Sequence, residues 1–159
     1  MTITEQDRSF MREAIRLANE SVDKGGGPFG AVIVKEGKII AGSANSVTIQ
    51  NDPTAHAEVN AIRLACRQLN TFDLSDCIIY TSCEPCPMCL SAIYWARIKR
   101  IYYSNTRKDA AGIGFADDFL YEELNKPLSL RTIPIIPMLQ QEAIVTFRKW
   151  MQKEDRTDY

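Results

Sequence analysis

The chain has 159 residues, with 19 Lys plus Arg against 20 Asp plus Glu for a net charge of −1, and it is 45% hydrophobic and 25% charged. That balance suits a single globular domain burying roughly 70% of its unfolded surface; it excludes a disordered chain and gives no basic field to attract a polyanion. No apolar run approaches the ~20 residues of a membrane span, and residues 1–8 carry acidic groups rather than a signal-peptide stretch, so a cytoplasmic protein away from membranes is expected.

Apolar residues Phe10, Met11, Ala14, Ile15, Leu17, Ala18 and Val22 recur near the helical period, and Thr4-x-x-Asp7 has capping-box spacing, predicting an opening helix over residues 4–24. Gly25 to Gly30 breaks it. Ala31-Val-Ile-Val34 and Ile39-Ile-Ala41 flank Glu36-Gly37 as a β-hairpin. A polar loop over residues 43–53 leads to a helix over 54–69, with Val59, Ile62, Cys66 and Leu69 on one face. Cys77-Ile-Ile-Tyr80 reads as a strand, a helix runs from Cys86 to Ala96, and Arg100-Ile-Tyr-Tyr103 is a further strand, implying a parallel pair. Then come a Gly-containing loop and a helix over 117–124. In Ile133-Pro-Ile-Ile-Pro137, the two prolines confine the segment to a sheet edge. Residues 140–159 form a final helix and charged tail. The expected architecture is one α/β domain over 1–159, with a mixed sheet flanked by helices.

Chemistry concentrates in two motifs, His56-Ala-Glu58 and Pro85-Cys86-Pro-Met-Cys89, each near a predicted helix start. Five cysteines, an odd number clustered at Cys-x-x-Cys spacing, favour metal or catalysis over disulfides. His56, Cys86 and Cys89 supply one imidazole and two thiolates, which suit tetrahedral zinc with an open fourth position. Cys86 and Cys89, at i and i+3, share one side of their helix. His56 and Glu58, at i and i+2, serve one centre only if it lies beyond the helix N-terminus. Partial positive charge there stabilises thiolates, and Glu58 is the base for proton transfer. Competing readings are a satisfied core histidine, a redox dithiol, an iron–sulfur site lacking its fourth cysteine, and a closed site in which Cys83 joins the other three ligands.

These motifs resemble the zinc-dependent nucleobase deaminases of the cytidine deaminase-like fold, whose signature and mechanism are well defined. Gly27-Pro-Phe-Gly-Ala-Val-Ile-Val34, Asn51-Asp-Pro-Thr-Ala-His-Ala-Glu58 and Thr81-Ser-Cys-Glu-Pro-Cys-Pro-Met-Cys89 are similar in order and spacing to the small guanine deaminases. The resemblance implies a three-layer fold with a mixed five-stranded sheet. It makes His56, Cys86 and Cys89 the ligands of one Zn²⁺ per chain, leaving Cys83 outside. It implies hydrolytic conversion of guanine to xanthine and ammonia: water activated at the metal attacks C2, with Glu58 carrying protons and the backbone N–H groups near Ala57 and Cys86 facing the developing charge.

Further roles follow only from the resemblance. Asn45, otherwise a turn residue, would hydrogen-bond the purine. Phe29 would stack on it or merely pack. Asp117, otherwise a helix cap, would accept from N1–H or the exocyclic amine. Trp95, at i+7 from Met88, is either core or part of the site or an interface. Tyr159, otherwise a loose end, would close over the pocket. Cys66 and Cys77 read as structural thiols. The expected partners are a small purine base and a second copy in a homodimer, without nucleic acid. The alternatives are a tRNA adenosine deaminase, disfavoured by the near-neutral charge, and a non-catalytic zinc-stabilised binding module.

Overall fold

The computed structural model describes residues 2–159. The chain forms two compact units, one ending at Asp117 and the other spanning Asp118–Tyr159. The first contains β1 (Gly30–Lys35), β2 (Lys38–Ala44), β3 (Cys77–Cys83) and β4 (Arg100–Asn105), in spatial order β2-β1-β3-β4. β1 is antiparallel to β2 and β3, whereas β3 and β4 run parallel, as the intervening helix requires. Glu36 and Gly37 both adopt positive φ, 49° and 71°, at the two-residue turn between β1 and β2; this is the backbone twist that suits a tight hairpin.

Period-two alternation gives the sheet two covered faces. Val32, Val34 and Tyr80 pack with Ala14 of α1 (Glu5–Asp23) on one side. Ala31, Ile33 and Ile79 pack on the other with α3 (Ala57–Leu69) and Ile93 of α4 (Pro87–Trp95). The predicted capping box forms: Thr4 accepts from the Asp7 backbone N–H, while the Asp7 carboxylate accepts from Thr4. Gly30 is dictated by close approach, since a Cβ there would lie 2.2 Å from the Ala14 carbonyl oxygen. The innermost stripe of α3 is Ala57, Ala61 and Ala65, all fully buried, with Ile62, Cys66 and Leu69 only partly covered around it. Small side chains let this helix lie close to the sheet.

The expected five-stranded sheet is corrected to four among the described residues. Ile133-Pro-Ile-Ile-Pro137 is irregular, because two prolines in five residues remove ladder donors and fix φ. Two short helices interrupt stretches read as loops: α2 (Val47–Gln50) and α5 (Arg107–Gly112), the latter started by a Thr106/Asp109 capping box. The second unit contains α6 (Asp118–Asn125), a 3-10 turn at Leu128–Leu130 and α7 (Gln140–Met151). Among the described residues, no helix is long and apolar enough to cross a membrane.

Candidate metal centre and its surroundings

Two helix starts build the centre. His56 is the N-cap of α3 and Cys86 the N-cap of α4; both have extended backbone and neither uses its side chain as a cap. For Cys86 the cause is local, because Pro87 disfavours helical geometry in the preceding residue and itself suits the first helical position. For His56 it is the Asx turn ahead, in which Asp52 Oδ1 accepts from Thr54 N at 2.8 Å and Thr54 Oγ1 at 2.7 Å. Asn60, one turn into α3, ties this entry down by donating from Nδ2 to the carbonyl oxygens of Ala44 and Ala55 and to Ser46 Oγ.

His56 Nδ1 lies 3.6 Å from Cys86 Sγ and 3.5 Å from Cys89 Sγ, and the three donor atoms all fall within 4.8 Å of one another. Ordinary Zn–N and Zn–S lengths at a tetrahedral angle give an N···S separation of roughly 3.6 Å, which both His56–Cys distances match. Cys83 is absent from this trio; its thiol donates to the Thr106 carbonyl oxygen at 3.7 Å. A hydrogen bond from Cys89, with His56 alongside, lowers the Cys86 thiol to about 4 despite burial. The shared proton and burial raise Cys89, and Cys86 raises His56.

Glu58 is the second residue of α3 and only 5% exposed. Burial raises its pKa, opposed by its own backbone N–H and by Thr81, whose hydroxyl donates to Glu58 Oε1 at 2.9 Å. A buried carboxylate beside two sulfurs and an imidazole is equipped to take and release a proton at a metal-activated water.

The other expected residues are less tightly grouped. Asn45 is buried; its Oδ1 accepts from Gly27 N and Val47 N, both at 3.3 Å, and its backbone N–H donates to Phe29 O. Phe29 meets Phe115 edge-on, with ring centroids 5.0 Å apart. Ala57 is fully buried at the first position of α3. Trp95 closes α4 at 69% exposure, which rules out the core reading. Asp117 immediately precedes α6, and Tyr159 is exposed. None of Trp95, Asp117 and Tyr159 belongs to the ligand trio. Sequence reasoning missed Thr81, Asn60 and Phe115. Phe115 had a signal as an aromatic between Gly114 and Asp117, whereas the other two required knowledge of strand and helix neighbours.

A His/Cys/Cys trio with a buried carboxylate, set at two helix starts against one sheet face, defines a metal-dependent hydrolytic centre rather than a redox dithiol. Comparison with known proteins gives the particular family: residues 4–105 match the cytidine and deoxycytidylate deaminase zinc-binding region, and the chain belongs to that family. It is 53% identical over 152 residues to the guanine deaminase of Bacillus subtilis, covering 95% of this chain and 97% of that one. The X-ray structure of the B. subtilis enzyme superposes with a TM-score of 0.93 over 96% of this chain and 98% of its own. A guanine deaminase structure from Nitrosomonas europaea is 30% identical at a TM-score of 0.67, covering 74% of this chain and 67% of that one. A tRNA-specific adenosine deaminase of Aquifex aeolicus is 46% identical over 104 residues, 65% of this chain and 69% of that protein.

Proposed function

We propose that the protein deaminates guanine: water and guanine give xanthine and ammonia, with a C–O bond replacing the C–N bond at C2. The observation that carries this reading is the likeness to B. subtilis guanine deaminase, which extends over 95% of the chain. The likeness to the A. aeolicus tRNA enzyme extends over 104 residues, and a net charge of −1 offers no cationic footprint for tRNA.

In the mechanism, His56, Cys86 and Cys89 would hold one zinc ion per chain. When bound, zinc supplies a Lewis acid that makes water acidic enough to attack near neutral pH. Glu58 takes the proton from the attacking water and delivers protons to the ring nitrogen and the departing amine; its burial favours the protonated form it must adopt midway. The N–H groups at the starts of α3 and α4, including those of Ala57 and Cys86, stabilise developing negative charge. Phe29 packs on the purine face, Asn45 hydrogen-bonds the ring, and Asp117 accepts from N1–H or the exocyclic amine. Trp95, at the end of α4, contributes to the same pocket.

The chain acts as one deaminase domain in a cytoplasmic homodimer that binds no nucleic acid. The apolar side chains a single chain leaves exposed, including Tyr94 at 75% and Trp95 at 69%, support the dimer. Ammonia release from zinc-quantified protein, offered guanine, guanosine, adenine, cytosine, cytidine and a tRNA anticodon stem-loop in parallel, tests the substrate. Release from guanine is expected. Release from the stem-loop alone would transfer the reading to tRNA, and silence across the panel with full zinc would favour a binding module.

A further inference from the structure

We propose that Thr81 is a positioning residue for Glu58, its hydroxyl fixing one carboxylate oxygen so that the other faces the reacting water and amine. The inference rests on the reading of Glu58 as proton carrier. Thr81 is fully buried in β3, paired with Ala31 of β1 and Tyr103 of β4. Alternation along β3 places it with Ile79 on the face covered by α3, and its Oγ1 donates across 2.9 Å to Glu58 Oε1.

The residue type is informative. A valine would fill nearly the same space with the same strand preference, and a hydroxyl at zero exposure costs free energy unless it is hydrogen-bonded. Here the bond goes to Glu58, the one buried carboxylate among the described residues. Because the Thr81 hydroxyl donates a hydrogen bond to Oε1, that oxygen is engaged and, with the Glu58 backbone N–H also bonded to the carboxylate, its rotation is restricted, which would leave Oε2 to exchange protons with substrate. General acid–base transfer needs heavy atoms within hydrogen-bond reach, and a displacement of about 1 Å can cost on the order of 10²-fold in rate.

The test compares Thr81→Val and Thr81→Ser with the parent enzyme, each quantified for zinc. For Thr81→Val we expect zinc retained, a melting temperature within about 4 °C, KM within about twofold and kcat lower by about 10- to 100-fold. Thr81→Ser, which loses only a methyl group, should recover kcat to within about threefold. A crystal structure of the zinc-loaded valine variant should show the Glu58 carboxylate turned from its parent orientation. Thr81→Ala supplies the same comparison if the valine variant does not fold. An unchanged kcat in the valine variant, a serine variant as slow as the valine one, or zinc lost together with activity would each overturn the proposal. If the parent enzyme turns over an amine other than guanine, the same ratios are measured on that amine. The orientation of Glu58 in the crystal needs no turnover at all, so failure of the substrate reading and failure of the Thr81 reading are distinguishable.

Discussion

The two units are stabilised by different means. In the first, both sheet faces are covered, and Ile33, Ile79 and Ala61 are fully buried. In the second, no described residue is buried; Phe147 is 69% exposed and Ile136 80%. Polar contacts hold it locally: Glu123 accepts from the backbone and hydroxyl of Thr132 and pairs with Lys126. The difference teaches where chemistry can be supported. A centre whose donor atoms sit 3.5 to 3.6 Å apart needs rigid, desolvated walls, which the first unit supplies from its own residues.

The largest expected effect tests whether proton transfer belongs to the first unit. Glu58→Gln removes the proposed proton carrier and keeps the volume, so zinc content should stay at the parent level while turnover falls by about 10²- to 10⁴-fold. A zinc-replete variant at parental rate would break the assignment. Next in size is metal retention. Cys89→Ser should lose most bound zinc and with it activity, whereas Cys83→Ser, whose sulfur contacts the Thr106 carbonyl, should keep both. Zinc release from Cys83→Ser would restore the closed four-ligand site.

Much of this centre was legible beforehand, because two spacings carry three-dimensional information. A pair at i and i+3 shares a helix side, and a pair at i and i+2 converges only at a helix end, so the meeting of two helix starts follows from His56, Glu58, Cys86 and Cys89. Thr81 was not legible, because its partner depends on which sheet face α3 covers. The fully buried alanine stripe of α3 was obscured by larger residues at its margin. The five-stranded sheet implied by the resemblance is not reached among the described residues, because the segment that Pro134 and Pro137 confined to a sheet edge forms no strand. Helices α2 and α5, four and six residues long, were too short to show periodicity.

Packing offers a third test, smaller in effect than loss of the centre. Ile79→Ala, at 0% exposure, should cost about 2 to 5 kcal/mol in denaturant unfolding. Phe147→Ala should leave first-unit unfolding within about 0.5 kcal/mol. If a second copy covers Phe147, the same substitution should weaken the dimer by about tenfold in sedimentation at low protein concentration. Equal destabilisation by both substitutions would erase the contrast between the units.

The smallest effect is acid sensitivity, where each unit has a well-held carboxylate. Hydrogen bonds from Thr4 and Tyr80 lower Asp7 from its ordinary 3.8 to about 2. Lys126 and Thr132 lower Glu123 from 4.5 to about 2. Both folded-state values are depressed, so each contribution is fully present above the ordinary value and is lost as pH falls from there through about 2. Asp7 is backed by a core, because its partner Tyr80 is 1% exposed and stacks on Tyr102 at 4.8 Å. Glu123 has no buried neighbour in its own unit. Acidification from pH 5 to 2.5 should therefore increase amide hydrogen exchange in residues 118–159 before it does so in β1 and β3. Glu123→Gln should bring much of that loosening to neutral pH, and Asp7→Asn should not. Simultaneous loss of protection in both units would mean that residues 118–159 share the stability of the first unit's core.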